Sequence, residues 1–475
     1  SIFDLSHIRI KRHQKKKKQH IQEYTNKKMA DRLLDIANHL SQKKANDSVE
    51  SFEAAKSPSV GMTNSSVIDG EIDPEKKPLR VSVIGGGNWG TTIAKVVSES
   101  ALEYPTLFDI NVRWWVHEED IVYKGENHPA KISYILNNFH ENVKYLPGVR
   151  LPDNLHATGN MFEAIEDCDI LVFNVPHQFL GSIIDTHITP ILKEKSQQLG
   201  RETTFRGDVV ARHCIAISCL KGFHINLDDP KDLKIQLLSD FIDEKLNIPT
   251  GSLSGANLAS EVAKENFSET TISFPPRYVT DKDHVSVKCN SIAHPHDPKI
   301  LKTLFHRPYF HVRVIDDVAG VSVAGALKNI VALACGFVKG LGWGDNAAAA
   351  IQRIGLQEIT KFGIKYFPAS KMETYYVESA GVADLITTCN GGRNVKVGKR
   401  YAEMYLEGNR EINIGDLEKE VLNGQSAQGI ITAEEVNQWL EFKNETQDFP
   451  LFSCVYKCLF EKADLTEIPS MLDTE

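Results

Sequence analysis

The segment VSVIGGGNWGTTIAK, residues 81–95, places the strongest constraint on how this chain folds. A β-branched run leads into the pattern G-x-G-x-x-G, formed by Gly85, Gly87 and Gly90, and an amphipathic helical run follows it. Between a strand and a helix, such glycines allow a tight turn, a close approach of backbone to a pyrophosphate, and packing of the helix on the strand. Outside that context the motif would be equally typical of a plain turn. The segment therefore predicts a dinucleotide-binding strand-turn-helix unit.

Strand-like and helical runs alternate in the first part of the chain and give way to helices in the second. The further strand-like runs are NVRWWV at 111–116, CDILVFNV at 168–175 and CIAISCL at 214–220. This alternation is typical of a parallel sheet covered by helices on both faces. Later helical patterns cover 320–338, 347–367, 397–406 and 431–442. We predict a Rossmann-type doubly wound α/β domain at 79–315, with a Pro-, His- and Asp-rich connecting excursion at 274–299, and an all-helical domain at 316–475.

The composition is that of an ordinary globular chain and argues against several functional classes. Of 475 residues, 41% are hydrophobic and 25% are charged, which suffices for more than one buried core. A net charge of −9 argues against a nucleic-acid partner, because such proteins usually present a basic surface. Apolar runs stay below about 18 residues, so we expect no membrane span. Eight irregularly spaced cysteines indicate reduced intracellular thiols, and HPHD at 294–297 lacks metal-site spacing, so no metal is predicted.

Residues 1–78 differ from the rest of the chain. KRHQKKKK near the start is followed by a Ser-, Asn- and Lys-rich stretch with few aromatic residues, which is typical of a disordered extension. The basic run is compatible with a nuclear or nucleic-acid signal, but a solvated tail is the simpler interpretation. Met29 opens MADRLLDIANHL, so translation from Met29 would leave residues 1–28 outside the native protein.

Polar and aromatic residues at the ends of the predicted strands are candidate ligand contacts. Glu118 follows the second strand, where a carboxylate can bind an adenosine ribose and repel a 2′-phosphate; this favours NAD over NADP unless Glu118 lies in a solvated loop. Phe179 in FNVPHQF either covers a nicotinamide or belongs to the core. Lys221 ends a further strand in CLKGF, and Asn257 lies in the turn of SGANLASEV. Ligands bind where the carboxyl ends of parallel strands meet.

A lysine, Lys328, interrupts the apolar helical run VSVAGALKNIVALACGF at 321–337. Three explanations fit: the lysine snorkels to water, pairs with a buried carboxylate, or lines a ligand cleft. Its neighbour Asn329 is also polar, so two adjacent polar side chains interrupt the run, which makes a cleft plausible.

A second dense polar cluster is GVADLITTCNGGRNVKVG at 381–398. Asp384 and Thr388 precede a Gly-Gly turn, and Arg393 and Asn394 follow it. Glycine backbone, a guanidinium fork and an amide suit a phosphate, whereas the alternative is a helix C-cap with a surface arginine. With a dinucleotide site upstream, an anionic substrate is the better interpretation.

Taken together, the motifs resemble those of the eukaryotic NAD-dependent glycerol-3-phosphate dehydrogenases, over residues 79 to about 460. Those that carry the resemblance are GGGNWGTTIAK, HENVKYLPG, VPHQF, LKG, GANLASEVA, GALKNIVA, GFVKGLGWGDN and ADLITTCNGGRN. The resemblance implies NAD as cofactor and reversible hydride transfer between NADH and dihydroxyacetone phosphate, giving sn-glycerol 3-phosphate, in a cytoplasmic homodimer. The departures are His117, where animal members carry an aromatic residue, the long 274–299 segment, and the N-terminal extension.

The resemblance also implies a role for each matching position. The implied cofactor contacts are Gly85, Gly86, Gly87, Asn88, Trp89, Gly90, Phe179, Ala259, Arg393 and Gln428. The implied substrate contacts are Lys221, Asn257, Lys328, Asn329, Arg393 and Asn394. The implied catalytic residues are Lys328, as proton donor and acceptor, with Lys221, Asp384 and Thr388 in support. Burial and the cation of Lys221 should lower the pKa of Lys328 toward neutrality, and Asp384 should limit the fall.

An N-terminal address is a further expectation. Arg32, Leu33, His39 and Leu40 form the pattern R-L-x5-H-L of a peroxisomal signal, and fungal and kinetoplastid members of this family resemble the chain in using such signals. A short amphipathic helix would show the same apolar face, and the two interpretations are compatible. A peroxisomal import receptor is therefore an expected partner, beside the cytoplasmic location.

Two other functions fit part of the pattern. An NADP-dependent two-domain reductase would share the glycine loop, but it would need a cationic site for the 2′-phosphate and would have no use for GGRN. A non-catalytic NADH-sensing protein could keep Gly85 to Gly90, but it has no reason to keep Lys221, Lys328 and Asp384 together.

Overall fold

The computed structural model describes residues 77–473, apart from 124–127, 192–213, 227–232, 276–294, 296 and 423–425. The predicted address at Arg32, Leu33, His39 and Leu40 lies outside the described residues, as does most of the 274–299 excursion.

The strands of the described residues form one large sheet and two small antiparallel pairs. Along the chain they are β1 Val81–Ile84, β2 Val112–Trp115, β3 Asp120–Ile121, β4 Ala130–Lys131, β5 Leu155–Thr158, β6 Ile170–Phe173, β7 Ile215–Ser218, β8 Phe223–Asn226, β9 Lys234–Leu237, β10 Thr250–Ser254, β11 Ser268–Ser273 and β12 Phe310–Ile315. The large sheet has the order β5-β2-β1-β6-β7-β10-β11-β12, and β3-β4 and β8-β9 are the small pairs. Its neighbouring strands are parallel except β10 and β11. The predicted parallel sheet is thus confirmed, with one antiparallel pair added.

The strand order reverses direction at β1. From β1 the chain moves outward to β2 and then β5, and β6 returns to the other side of β1. Val83 is accordingly paired with Trp114 on one side and with Val172 on the other. In doubly wound sheets the ligand lies in the crevice at such a reversal, outside the carboxyl ends of the strands. The loops after β1 and β6 therefore mark the candidate site.

The central strands are buried along their whole length because apolar clusters lie on both faces of the sheet. Every residue of β1, β6 and β7 is buried. Val81 and Val83 belong to one apolar cluster, and Ile84 belongs to another. A strand covered on both faces is a continuous apolar run rather than an alternating one. This explains why short runs such as VSVI are sufficient signals of a strand.

Helices accompany the sheet and form all the regular structure described after β12. Those interspersed with the strands are α1 Asn88–Glu103, α2 Ile132–Phe139, α3 Met161–Ile165, α4 Leu180–Ile183, α5 Leu238–Leu246, α6 Ala259–Ala263 and α7 Pro298–Phe305. Those after β12 are α8 Val318–Gly340, α9 Gly344–Tyr366, α10 Met372–Tyr376, α11 Asp384–Gly391, α12 Arg393–Leu406, α13 Ile414–Leu422, α14 Gln428–Lys443, α15 Pro450–Phe460 and α16 Ile468–Leu472. A doubly wound sheet followed by an all-helical part is the fold class predicted from the sequence, which is therefore confirmed.

Helix α8 is the central helix of the C-terminal part. Asp317 caps its start by accepting a 2.7 Å hydrogen bond from the Gly320 backbone N–H. A Cβ on Gly336 would lie 2.5 Å from the Val395 carbonyl oxygen, so glycine allows α8 and α12 to approach closely. The helix is long and apolar enough to cross a membrane, but 94% of its apolar window is buried inside the protein. A helix packed on every side is apolar all round, which is the position of a core helix.

Candidate active site

The glycine loop after β1 folds tightly against the chain that follows β6. Gly85 has a φ of +113°, and a Cβ there would lie 2.7 Å from the Asn174 carbonyl oxygen. At Gly90 a Cβ would lie 2.2 Å from the carbonyl oxygen of Gly85, whereas at Gly87 it would meet nothing within 4 Å. The loop thus has a turn at Gly85 in a conformation that favours glycine, close packing at Gly90, and an open face at Gly87 beside the start of α1.

Hydrogen bonds from the protein engage the carbonyl groups of this loop. Gly85 O accepts from Trp114 Nε1 at 2.9 Å, and Gly86 O accepts from Asn142 Nδ2 at 3.0 Å. Asn142, in HENVKYLPG, also donates to Thr91 Oγ1 at 2.8 Å. Carbonyl oxygens would repel a phosphate, whereas the N–H groups at a helix N-terminus attract it. The loop therefore fits the pyrophosphate of a dinucleotide.

Glu118 does not present a free carboxylate to this crevice. Its Oε2 accepts from Ser133 Oγ at 2.8 Å, and its Oε1 accepts from the Ser133 backbone N–H at 3.2 Å. Both oxygens therefore hold the first turn of α2. The expectation that Glu118 binds an adenosine ribose stays a prediction, because each carboxylate oxygen can accept a second hydrogen bond.

Two aromatic residues predicted to contact the cofactor differ in exposure. Phe179 lies on the 3₁₀ turn His177–Phe179 directly after β6, and 54% of it is exposed. Its assignment to the core is therefore wrong, and a ligand in the crevice is positioned to cover it. The indole of Trp89 instead packs edge-to-face on Phe310, with ring centroids 6.2 Å apart. Trp89 is half-buried, so it stays a predicted ligand contact at the start of α1.

Four donors converge on one buried carboxylate, Asp384, at the start of α11. Its Oδ1 is paired with Lys328 Nζ and accepts a 3.4 Å hydrogen bond from Thr388 Oγ1. Its Oδ2 is 3.4 Å from Lys221 Nζ and accepts a 3.1 Å hydrogen bond from Ser254 Oγ. The structure thus brings the four predicted catalytic residues together and adds Ser254, which the sequence did not single out.

Burial decides the protonation behaviour of Lys328. Only 4% of the residue is exposed, and this loss of solvent is the largest influence on its ammonium. Attraction by Asp384 opposes the effect, and repulsion by Lys221 adds to it. The balance lowers the pKa of Lys328 to about 7. The direction and its causes agree with the expectation from the sequence, and they make Lys328 able to gain or lose a proton near neutrality.

An irregular π turn, Ser379–Ala383, delivers Asp384 to this position. Gly381 lies inside it, where a Cβ would be 2.3 Å from the Tyr375 carbonyl oxygen. Ser379 Oγ donates to the Glu269 carbonyl oxygen at 2.8 Å and accepts from the Ala256 N–H at 3.3 Å. Such turns are frequent at functional sites. Ser379 thereby ties the turn to the loop that carries Asn257.

The residues predicted to hold the substrate form two groups. Asn394 Nδ2 donates to Asn329 Oδ1 at 2.9 Å, and Asn394 Oδ1 accepts from the Gly429 N–H at 2.9 Å. Asn257 Nδ2 is held by Ser268 Oγ and by the Glu269 carbonyl oxygen, each at 2.8 Å. Its Oδ1 is buried without a hydrogen-bond partner among the described residues, which suits a donor from a ligand.

The remaining predicted contacts lie at helix starts. Arg393 is the first residue of α12 and is exposed. Ala259 begins α6, and its carbonyl oxygen accepts from Thr92 Oγ1 of α1 at 3.1 Å. Gln428 begins α14, and its Nε2 lies 2.6 Å from Nδ1 of His177. The sequence had drawn attention to VPHQF only through Phe179, so the histidine in the same motif is an addition from the structure.

Possible metal centres and cavities outside this cluster can be judged for the described residues. Across the described part of the chain, no group of three or more His, Cys, Asp or Glu side chains is placed to hold a metal ion. A cavity of about 760 Å³ lies among α9, α15 and α16, and its lining includes Arg353, Glu358, Lys361 and Lys457. None of the predicted site residues lines it. The catalytic candidates are therefore those around Asp384.

Comparison with known proteins finds close relatives over most of the chain. The models of the NAD-dependent glycerol-3-phosphate dehydrogenase N-terminus and C-terminus match residues 80–279 and 317–470. Glycerol-3-phosphate dehydrogenase [NAD(+)] 1 of Zygosaccharomyces rouxii is 49% identical over 430 residues, which is 90% of this chain and 95% of that protein. The mitochondrial glycerol-3-phosphate dehydrogenase [NAD(+)] 2 of Saccharomyces cerevisiae is 50% identical over 84% of this chain and 80% of its own. A solved glycerol-3-phosphate dehydrogenase from Saccharomyces cerevisiae superposes with a TM-score of 0.67 at 50% identity, over 84% of this chain and all of that one.

Proposed function

The chain belongs to the NAD-dependent glycerol-3-phosphate dehydrogenase family, and on that premise we propose that it catalyses reversible hydride transfer between NADH and dihydroxyacetone phosphate, giving sn-glycerol 3-phosphate. The observation that carries the proposal is the buried pair of Lys328 and Asp384, with Lys221 beside it, in a chain that also has the glycine loop. A cation that can exchange a proton near neutrality is what carbonyl reduction requires of the protein.

For the cofactor, we propose that the loop from Gly85 to Gly90 holds the pyrophosphate of NAD and that Phe179 covers the nicotinamide. Ala259, Arg393 and Gln428 would line the same crevice. When bound, NADH supplies the hydride, and the protein supplies position and charge. The open face at Gly87 and the exposed ring of Phe179 support this placement.

For the substrate, we propose that Arg393 and Asn394, at the start of α12, bind the phosphate. A guanidinium fork and the N-terminus of a 14-residue helix both favour an anion. Asn257 would accept a hydrogen bond from the substrate through its unpartnered Oδ1, and Lys221 and Asn329 would orient the carbonyl end of the substrate beside Lys328.

Proton transfer is assigned to Lys328. Protonated, it would neutralise the charge that develops on the substrate oxygen during reduction; neutral, it would accept the hydroxyl proton during oxidation. Asp384, held by Thr388, keeps the ammonium in place. Because burial lowers the pKa of Lys328 to about 7, reduction should slow as pH rises through that value, and oxidation should accelerate.

The direct test is an assay of the purified chain with NADH and with NADPH against dihydroxyacetone phosphate. Turnover with NADH and little with NADPH is the expected result. Equal or better use of NADPH would favour the reductase of another substrate. Binding of NADH without turnover of any phosphorylated ketone would favour a sensing protein. Each outcome therefore selects one of the three functions that the sequence allows.

We further propose that the domain boundary lies at 315/316 and that the protein is a homodimer. The boundary falls between the end of β12 and Asp317, the cap of α8. Size-exclusion chromatography with light scattering tests the second statement; a mass of one chain at micromolar concentration would contradict it.

For location, we propose a cytoplasmic enzyme with a peroxisomal fraction directed by Arg32, Leu33, His39 and Leu40. One relative is named as mitochondrial, so the destination needs its own test. A reporter fused to residues 29–45 should enter peroxisomes in a host that has the receptor, and His39→Ala should leave it in the cytosol. Delivery of the reporter to mitochondria would contradict the proposal.

A further inference from the structure

His177 occupies a junction between three segments of the proposed site. It begins the 3₁₀ turn that ends at Phe179, and only 7% of its side chain is exposed. Its ring packs against Gly222, the residue after Lys221, where a Cβ would lie 3.1 Å from Nδ1. Gly222 has a φ of +135°, so the backbone at this position is adapted to a glycine. The third segment is helix α14.

Both nitrogens of His177 face side chains of α14. Nδ1 is 2.6 Å from Nε2 of Gln428, and Nε2 is 3.3 Å from Oε1 of Glu435. An amide nitrogen only donates, so Nδ1 accepts and the ring carries its proton on Nε2, which donates to Glu435. The ring thus accepts a hydrogen bond from Gln428 and donates one to Glu435. Because the two roles differ, a substitution can remove one contact and keep the other.

The contact with Gln428 continues into the substrate side of the site. Gly429, the next residue, donates its N–H to Asn394 Oδ1, and Asn394 donates to Asn329. Asn329 is the neighbour of Lys328 on α8. A nearly continuous series of hydrogen bonds and adjacent residues therefore runs from the turn that carries Phe179 to the helix that carries the proton-transferring lysine.

We propose that His177 is a positioning residue that fixes the Gln428 amide, and with it the start of α14, relative to the Phe179 turn. The inference rests on the proposed function, since it takes Gln428 as a contact of the cofactor. His177 itself does not touch the reacting atoms. Its effect is to keep the Gln428 side chain from turning away, which reduces the ordering that NADH binding would otherwise require.

Two substitutions separate the two contacts of the ring. His177→Asn keeps an acceptor near the position of Nδ1 and loses the donor to Glu435. His177→Gln keeps a donor near the position of Nε2 and loses the acceptor for Gln428. NADH affinity of the full chain is measured by protein fluorescence quenching, beside kcat and the KM for NADH. His177→Gln should weaken NADH binding about tenfold, the effect of one buried hydrogen bond, and His177→Asn should stay within about twofold of wild type.

The Gln428→Ala background completes the test. If His177 acts through Gln428, the difference between the two His177 variants should disappear there, because the shared partner is gone. The proposal would be overturned if both His177 variants lost NADH affinity equally, or if their effects added fully to that of Gln428→Ala. His177 would then contribute only through packing. Failure of the proposed function is distinguishable: the unsubstituted chain would then not reduce dihydroxyacetone phosphate with NADH.

Discussion

Lys328 and Glu358 are two buried charges on neighbouring helices, α8 and α9, and only one of them belongs to the proposed site. Each residue is 4% exposed. Burial lowers the pKa of Lys328 to about 7 and raises that of Glu358 to about 7. Lys328 pairs with the Asp384 side chain and lies near the ammonium of Lys221, whereas Glu358 accepts the N–H groups of Leu451 and Phe452 at 2.7 and 3.1 Å.

The difference shows what identifies a site in this fold. Both positions have a buried group with a shifted pKa, so the shift alone does not distinguish a catalytic residue from a structural one. At Glu358 the partners are backbone groups at the start of α15, which is a helix cap. At Lys328 the partners are ionisable or polar side chains, including a second cation. Convergent side chains, not burial, separate the two regions.

The largest expected effect is the loss of turnover in Lys328→Ala. Without its ammonium the developing charge on the substrate oxygen has no proton donor, so kcat should fall by at least ~10²-fold. NADH binding, measured by fluorescence, should remain. Glu358→Gln is the matched control from the other region and should keep kcat within about threefold. Near-normal turnover in Lys328→Ala would show that Lys328 is not the proton donor and that, like Glu358, it is only a buried structural charge.

Glu358→Gln should instead change stability, and in a pH-dependent way. The raised pKa means that the folded state binds the Glu358 proton more tightly than the unfolded state, so wild-type stability declines as pH rises from about 4.5 to about 7. The neutral amide removes this decline. Between pH 5 and pH 8, the free energy of unfolding of the variant should rise relative to that of wild type by up to about 3 kcal/mol. The difference in Tm between variant and wild type should rise accordingly.

Glu373→Gln, an exposed glutamate on α10, is the control for this measurement. It removes the same charge without burial, so its difference in Tm from wild type should be the same at both pH values. A flat difference for Glu358→Gln as well would show that the cap holds the carboxylate ionised throughout this range.

Features that lie within one stretch of sequence could be predicted, whereas features assembled from residues far apart in the chain could not. β1, the glycine loop and α1 are contiguous, so their geometry followed from residues 81–95 alone. β10 and β11 were missed because Thr250–Ser254 and Ser268–Ser273 are small, polar-looking runs whose burial depends on neighbouring strands. The site is likewise assembled over long separations: Lys328 and Asp384 are 56 residues apart, and Lys221 and Asp384 are 163 apart. Without the family resemblance, pattern alone did not join them.

Two arginines extend the comparison from proton transfer to the substrate. Arg393 begins α12 at the proposed phosphate site, and Arg353 lines the cavity beside Glu358. Arg393→Ala should raise the KM for dihydroxyacetone phosphate about 10- to 100-fold, because a charge-assisted contact is lost, and should affect unphosphorylated dihydroxyacetone far less. Arg353→Ala should leave both substrates unchanged. Equal losses on both substrates in Arg393→Ala would show that it does not recognise phosphate.

The smallest expected effect is a shift in the pH profile caused by Ser254→Ala. Ser254 Oγ donates to Asp384 Oδ2, on the opposite oxygen from Lys328, and so shares the negative charge that holds the ammonium. Removing the hydroxyl leaves more of that charge to Lys328 and should raise its pKa by about half a unit. Because reduction needs protonated Lys328, the fall in kcat for dihydroxyacetone phosphate should move to higher pH by the same amount.

Ser252 provides the control that makes this small shift interpretable. It lies two residues earlier on β10, is similarly buried, and has its hydroxyl 2.6 Å from Ser322 Oγ rather than on Asp384. Ser252→Ala should therefore change stability by an amount similar to Ser254→Ala while leaving the pH profile in place. If both variants shift the profile equally, the strand position and not the Asp384 contact controls Lys328. If neither does, Lys221 and Thr388 suffice to fix the charge on Asp384.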